Sequence, residues 1–399
     1  MYATRKVTED VTWVGGDDRS ASVFEGMFPI PEGVSYNSYV IEDEKLILMD
    51  TCDASVESQF WENLNHVLDG RSLDYLFIGH MEPDHGACIR RVIETFPGIT
   101  VIGSERALDM LYNFYGLRPE RTMPVKEGDT LSLGKHTLRF IPAVMVHWPE
   151  VMFAYDEYDG TLYSEDGFGT FGALDGTLFA DETDFGTKFL DEARRYYANI
   201  VGKYGSNVQT VLQKASGLDI ARICPLHGPV WRKDLGYILD KYQKWSTYQP
   251  EEKGVVIAYS SMYGNTEAVA NVLAIKLRER GLENLSVRNV TRVHPSYVVA
   301  DAFRYTNLVL ACPTYNNAVH PTMSAVIEDM SAMCVQDRGF SLIANGSWAP
   351  RAHKLMEEAV TTRMKDMRLV GSPFVVNSSK RPEQEPELDA LADAIMASL

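Results

Sequence analysis

From about residue 254 to the end of the chain, short apolar runs alternate with longer segments of helical periodicity. The run VVIAYS precedes the helical segment TEAVANVLAIKLRERG, in which Gly281 stands where a helix usually ends. The runs LSVRNV, NLVLAC, FSLIANG and SPFVVN continue the series, with helices expected around 322–334, 351–365 and from 383. Strands alternating with helices predict right-handed crossovers and a doubly wound parallel sheet.

The first 245 residues show a different pattern. Short runs such as YVIED, KLILMD, TLRFIPA and VMFAYDEYDGTLYS indicate hairpins, mixed with helices near 84–96, 105–115 and 188–216. This predicts an α+β or layered α/β domain with a mostly antiparallel or mixed sheet. The polar stretch STYQPEEKG separates the two patterns, so we expect one domain over residues 1–250 and another over 251–399.

Composition and charge argue against several classes of function. A net charge of −17 repels phosphate backbones and anionic lipids, which argues against nucleic acid and membrane surfaces as partners. The chain has no apolar run of the roughly 20 residues that span a bilayer, and its start lacks a signal-peptide core. Five scattered cysteines without a C-x-x-C pair predict reduced thiols in the cytoplasm and no rubredoxin-type iron site.

The segment YSSMYGNTEAVA lies between a predicted buried strand and a predicted helix. Its hydroxyl groups and flexible backbone stand at a helix N-terminus, where free N–H groups and the helix dipole favour a phosphate. It contains neither Gly-Lys-Ser/Thr nor G-x-G-x-x-G. Without the lysine of a triphosphate loop, it suits a monophosphate.

Two further loops should meet this phosphate loop, because both follow parallel strands. They are PTYNNAV, residues 313–319, and ANGSWAP, residues 344–350. Tyr315 and Trp348 offer flat faces for an aromatic ring. Either aromatic residue alone is equally well interpreted as an anchor of a surface loop.

Together the three loops resemble those of the flavodoxin family, and the resemblance over residues 254–399 implies bound FMN. That family usually has Ser/Thr-x-Thr-Gly-Asn-Thr, whereas here Met262 and Tyr263 precede Gly264, so one hydroxyl of the phosphate loop is missing. The implied FMN contacts are Ser260, Met262, Gly264, Asn265, Thr266, Pro313, Thr314, Tyr315, Asn316, Asn317, Ala344, Gly346, Ser347 and Trp348.

A second group of candidate residues begins in IGHMEPDHGA, where the apolar run LDYLFIGH ends. The groups suited to metal binding all follow strand-like runs: His80, Glu82, Asp84, His85, His147, Asp166 and His227. A lone histidine is more often structural, and His66, His136, His294 and His353 are interpreted so, while His320 stays undecided. The seven groups together suit two metals that share a bridging carboxylate.

The first loop resembles H-x-H-x-D-H of the metallo-β-lactamase fold, with Glu82 in place of the second histidine. An added carboxylate favours iron over zinc. The spacing to the next His, Asp and His, which is 62, 19 and 61 positions, resembles that of the flavodiiron proteins. That resemblance covers essentially the whole chain.

The resemblance implies a metallo-β-lactamase-like αββα sandwich followed by a flavodoxin-like domain. One iron would be held by His80, Glu82 and His147, the other by Asp84, His85 and His227, with Asp166 as the bridge. The implied enzyme is an oxidoreductase that reduces O2 to water, NO to N2O, or both. Electrons would pass through FMN from an external donor, either a rubredoxin-type protein, a flavin reductase or a reduced deazaflavin. A head-to-tail homodimer, or a dimer of dimers, is also implied.

This sequence departs from the family pattern at two positions, which leaves the proton supply and the substrate preference of this protein open. Glu25 stands where many relatives have a histidine, and EDGFGTFGA lacks a histidine that many relatives carry. Two rival functions also remain at this stage. One is a zinc metallo-β-lactamase-type hydrolase with an accessory flavodoxin domain, and the other is a non-catalytic redox sensor or electron carrier.

Overall fold

Two units divide the chain in the computed structural model, which describes residues 1–399. The N-terminal unit consists of Met1–Tyr197 and Tyr204–Tyr242. The C-terminal unit consists of Ala198–Lys203 and Gln243–Leu399. No helix in the chain has the length and apolar character needed to cross a lipid bilayer.

The N-terminal unit is built from short strands, which are β1 Arg5–Lys6, β2 Val11–Trp13, β3 Gly16–Asp18, β4 Val23–Phe24, β5 Phe28–Pro29, β6 Val34–Tyr36, β7 Tyr39–Glu42, β8 Leu46–Met49, β9 Tyr75–Ile78, β10 Thr100–Gly103, β11 Thr122–Pro124, β12 Thr130–Ser132, β13 Thr137–Pro142, β14 Met152–Asp156, β15 Thr161–Tyr163 and β16 Arg222–Cys224. Its helices are α1 Glu57–Leu68, α2 Pro83–Gly86, α3 Ile89–Thr95, α4 Glu105–Tyr115, α5 Phe185–Lys188, α6 Leu190–Tyr196, α7 Gly205–Ala215 and α8 Leu235–Ser246, the last of which runs past the end of the unit.

Most of these strands form two sheets. One has the order β1-β2-β7-β8-β9-β10-β11, antiparallel as far as β8 and parallel beyond it. The other has the order β12-β13-β14-β15-β16, in which only the last pair is parallel. Phe77 on β9 and Phe140 on β13 join the sheets with ring centroids 5.3 Å apart, inside one buried apolar cluster. The predicted mixed sheet arrangement is present as two facing layers.

The loops that carry the candidate ligands lie beyond the strand ends on one side of these two sheets. Strands β8 and β9 run parallel, as do β15 and β16, so the segments that follow each pair leave at the same end. The loop between β13 and β14 also lies there, since Met152 N–H donates to the Gly79 carbonyl. This common edge is the place where ligands bind in such sheets.

The C-terminal unit contains β17 Glu252–Tyr259, β18 Leu285–Asn289, β19 Tyr305–Tyr315, β20 Ala318–Val319, β21 Gly339–Asn345, β22 Arg368–Leu369 and β23 Phe374–Val376, with helices α9 Asn265–Glu279, α10 Pro295–Arg304, α11 Pro321–Ala332, α12 Ala352–Arg363 and α13 Glu385–Ala397. Its parallel strands lie in the order β18-β17-β19-β21, and β22 and β23 both pair with β21. This is the predicted doubly wound parallel sheet.

Three helix predictions differ from the structure. The segment 188–216 is not one helix: α6 gives way to a π-helical turn, Tyr197–Val201, and α7 begins at Gly205. Glycines at 202 and 205 lower the helix propensity there. The segment 84–96 is likewise divided into α2 and α3. Helix α10 had no counterpart in the sequence prediction, although His294 caps its first turn.

Candidate functional site

Four of the seven candidate ligands form a first buried group. His147 Nε2 lies 3.0 Å from both Glu82 Oε2 and Asp166 Oδ2. His80 Nε2 lies 3.2 Å from Glu82 Oε2 and 3.3 Å from Asp166 Oδ2. Burial opposes a charge on His147, but hydrogen bonds with Asp166 and Glu82 raise its pKa to about 9.

The other three candidates form a second group around the remaining oxygen of Asp166. His85 Nε2 lies 3.3 Å, and His227 Nε2 3.5 Å, from Asp166 Oδ1. Both nitrogens also lie within 3.3 Å of Asp84 Oδ2. One carboxylate thus faces both groups, with a different oxygen toward each.

The hydrogen-bond pattern indicates that these residues fit metal cations. His227 Nδ1–H donates to the Ser35 carbonyl at 2.8 Å, which leaves the lone pair of Nε2 free. That lone pair faces His85 Nε2 at 3.1 Å and carboxylate oxygens that are also acceptors. Both oxygens of Asp84 and one of Asp166 are buried without a hydrogen-bond donor. Acceptors that converge in this way suit bound cations, and a mixed imidazole and carboxylate set fits a pair of irons.

Glu150 fixes the orientation of His80. Its Oε1 accepts from His80 Nδ1 at 2.7 Å and from the Met81 N–H at 3.0 Å, and its side chain is fully buried. A carboxylate on the far nitrogen of a ligating histidine sets the tautomer and the ring plane. The loop between β13 and β14 therefore supplies both a candidate ligand, His147, and the residue that orients another.

A buried carboxyl pair supports the loop after β9. Asp50 Oδ1 accepts the N–H groups of Gly79 and His80, and Glu165 is hydrogen-bonded to Asp50. Burial and the charge of Asp50 raise the pKa of Glu165 well above its usual range, so Glu165 is the protonated partner. A Cβ atom at Gly79 would lie 2.2 Å from the Glu165 carboxyl carbon. Only glycine leaves room for this carboxyl.

Glu25 lies beside Glu82 at the solvent opening of the site, in a cleft that Asp84 also lines. Burial and the negative charge of Glu82 raise the pKa of Glu25 to about 8. Tyr196 also borders the site: its ring lies 5.6 Å from that of His227, and its buried hydroxyl has no hydrogen-bond partner.

In the C-terminal unit, the three predicted loops do form one cleft. Its lining residues are Ser261, Met262, Tyr263, Asn265, Thr266, Pro313, Thr314, Asn345, Gly346, Ser347, Trp348 and Ser378. Gly264 has a φ of 90°, a left-handed conformation that suits glycine, and α9 begins directly after it. Six of the predicted FMN contacts are not among these lining residues: Ser260, Gly264, Tyr315, Asn316, Asn317 and Ala344. Ser260 and Ala344 are buried in the structure.

Comparison with known proteins matches each of the two units to a known family. The family model described as ODP family beta lactamase matches residues 34–228, and the Flavodoxin model matches residues 257–365. A nitric oxide reductase of Moorella thermoacetica is 33% identical over 360 residues, which cover 88% of each chain. The chain belongs to the flavodiiron protein family.

Two solved structures of flavodiiron type are similar over nearly the whole chain. Rubredoxin oxygen:oxidoreductase from Desulfovibrio gigas has a TM-score of 0.91 and 27% identity, with 99% of each chain covered. The flavodiiron protein from Giardia intestinalis has a TM-score of 0.89 and 25% identity, covering 100% of this chain and 97% of that one. The predicted family, both fold types, the oxidoreductase class and the pairing of FMN with a non-haem diiron site are confirmed.

The remaining histidines of this flavodiiron chain lie outside the two groups. His66 stacks on Tyr2, and His136 pairs with Asp156. The His294 side chain caps α10, whereas His320 precedes α11 without a capping hydrogen bond to the backbone, and its Nδ1 lies 3.0 Å from Thr322 Oγ1. His320 is therefore accounted for as a structural residue at the start of α11.

Sequence reasoning missed several residues at both sites: Asp50, Glu150, Glu165, Tyr196, Asn345 and Ser378. Glu150 alone carried a local signal, because it lies three positions after His147 in the turn HWPE. The others meet the sites through contacts between distant parts of the chain.

Proposed function

We propose that this flavodiiron protein reduces O2 to water, or NO to N2O, with electrons relayed through FMN from an external donor. The observation that carries this proposal is Asp166, whose two oxygens face two separate buried groups of His and carboxylate side chains. The first reaction consumes four electrons and four protons for each O2. The second consumes two electrons and two protons for every two NO molecules.

When bound, FMN converts two-electron input into single-electron steps, and the iron pair supplies the open positions where the gas is reduced. The chain's own residues hold and shield these groups. In the proposed assignment His80, Glu82 and His147 hold one iron, and the second group holds the other. Burial of the histidines keeps bulk water away, and Glu150 keeps the His80 lone pair directed inward.

Proton supply is proposed to run along the open side of the site. Glu25 lies beside Glu82 at that opening. A carboxyl group there can donate or accept one proton. The Tyr196 hydroxyl, which has no hydrogen-bond partner, is a second candidate, because the Tyr196 ring lies 5.6 Å from that of His227.

Partners and location are further proposals. We propose an external electron donor, because bound FMN must be reduced again in every catalytic cycle. A second copy arranged head to tail would bring the flavin cleft of one chain to the metal centre of the other. All five cysteines are free thiols, which suits the reducing cytoplasm. The domain limits of 1–250 and 251–399 stay a prediction.

The decisive experiment is anaerobic reduction followed by parallel measurement of O2 and NO consumption, with iron, zinc and FMN quantified in the same sample. Two irons and one FMN per chain together with gas consumption support the proposal. Zinc without iron would support a hydrolase instead, and flavin cycling without gas consumption would support an electron carrier. The ratio of the two rates decides the preferred gas.

A further inference from the structure

A fourth loop lies at the flavin cleft of the C-terminal unit. Residues 377–380 follow β23, which pairs with β21, the strand that leads into the loop containing Ser347 and Trp348. Ser378 from this fourth loop lines the cleft together with Ser261, Asn265 and Thr266 of the phosphate loop.

Asn345 holds the fourth loop in place. Its side-chain Nδ2 donates to the Ser378 carbonyl at 2.9 Å, and its Oδ1 accepts the Ser378 N–H at 3.1 Å. The Gly346 N–H donates to the Val376 carbonyl at 3.1 Å. Asn345 is almost fully buried, so these bonds are shielded from water. The fourth loop is therefore fixed to the neighbouring loop on both sides of the Ser378 backbone.

Ser378 adopts a left-handed backbone conformation with a φ of 69°. A residue with a Cβ atom is disfavoured in this region, and such strain is retained where the surrounding structure demands it. Glycine would adopt the same conformation at less cost. Serine is less favourable than glycine in this conformation, which indicates that its hydroxyl group has a role.

Two hydroxyl groups of the fourth loop reach the other loops of the cleft. Ser378 Oγ lies 3.0 Å from Ser347 Oγ, and Ser379 Oγ–H donates to Asn265 Oδ1 at 3.3 Å. Asn265 is the first residue of α9, at the N-terminus where a phosphate is expected. The fourth loop consequently contacts the phosphate loop through Ser379, and the rotatable hydroxyl of Ser378, which donates to Ser347 Oγ, lines the same cleft.

The phosphate loop lacks one hydroxyl group of the pattern Ser/Thr-x-Thr-Gly-Asn-Thr, because Met262 takes the variable position and Tyr263 stands directly before Gly264, in the place of the threonine. Met262 has no hydroxyl, and the Tyr263 side chain is 88% exposed. We propose that Ser378 supplies the missing hydroxyl contact to the FMN phosphate from the fourth loop. This inference rests on the FMN site of the proposed function and adds a residue to it.

The test compares FMN with riboflavin, which lacks the phosphate. Flavin is removed from the full-length protein, and each ligand is titrated back while quenching of its fluorescence is followed. The variant is Ser378→Gly, which removes the hydroxyl and suits the left-handed backbone. Ser331→Ala, on α11 outside the cleft, is the matched control. Thermal unfolding of each apoprotein verifies that the unit is folded.

We expect Ser378→Gly to weaken FMN binding about 10- to 100-fold, the loss typical of a hydrogen bond to a charged group, and to leave riboflavin binding unchanged. Unchanged FMN affinity would overturn the inference. An equal loss for both ligands would also overturn it, because the hydroxyl would then act away from the phosphate. If the wild-type protein bound no FMN, the proposed function would fail, whatever the variant did.

Discussion

Glu150 Oε1 lies 2.7 Å from His80 Nδ1, and both side chains are fully buried. The same oxygen accepts the N–H of Met81, so the carboxylate holds both the ring and the backbone of the segment that carries His80. Despite burial, hydrogen bonding from His80 keeps the pKa of Glu150 below its usual value. The carboxylate is therefore ionised and directs the free Nε2 of His80 into the site.

Glu150→Gln should lower iron affinity by about 10- to 100-fold, because the neutral amide is a weaker partner for the His80 N–H. Competition with a chelator measures this loss. Glu120→Gln, at an exposed position, is the control and should behave as wild type. FMN content should stay unchanged in both variants. Wild-type iron affinity in Glu150→Gln would contradict the assigned role.

His147→Ala should abolish iron binding in the first group and eliminate O2 and NO consumption, since His147 lies 3.0 Å from both carboxylates of that group. The flavin absorbance should remain, because the flavin cleft lies in the other unit. Metal analysis and visible absorbance of one sample check both expectations. Loss of FMN instead would mean that the roles of the two units had been exchanged.

Tyr196→Phe should change stability little, because the buried hydroxyl that it removes has no hydrogen-bond partner. Tyr196→Ala should cost about 3–5 kcal/mol, since the ring packs against Phe171 and His227. The thermal midpoint of the N-terminal unit should then fall by roughly 10 °C. Equal midpoints for the two variants would refute this account of the packing.

His136 should make stability depend on pH. Burial opposes its charge, but hydrogen bonds with Asp156 and Asp10 raise the pKa of His136 above its usual value. The charged or titratable groups around it are Asp10, Asp43, Lys135, Asp156, Tyr158 and Asp159. Because the folded pKa is raised, the stabilisation is complete below about pH 6.5 and is lost as pH rises through the folded value.

The measurement for His136 is the thermal midpoint of wild type and of His136→Gln between pH 5 and 9. The difference between the two should be largest at acidic pH and should shrink toward alkaline pH. A difference that grows with pH would have the wrong sign for a raised pKa and would contradict the assignment.

Much of the fold and the composition of the metal centre could be predicted from the chain alone. Each candidate ligand follows a strand-like run, and strand ends at one sheet edge bring distant residues together. The helix over 188–216 was predicted wrongly, because periodicity continues across the π-helical turn at Tyr197–Val201. The helix propensities of the residues in this segment are not low enough to predict the interruption.

By itself the sequence determined the family, the order of the two fold types and the kinds of ligand available, since these depend on residue type and spacing along the chain. Only the tertiary structure decided which groups orient and surround those ligands. Glu150 meets His80 across 70 positions, and Ser378 meets Asn345 across 33. Such contacts follow from packing between loops: the turn HWPE indicates only that Glu150 lies near His147, and the sequence does not show that its partner is His80. For the same physical reason, the sequence does not show the fourth loop of the flavin cleft: the pairing of β23 with β21 brings this loop to the cleft.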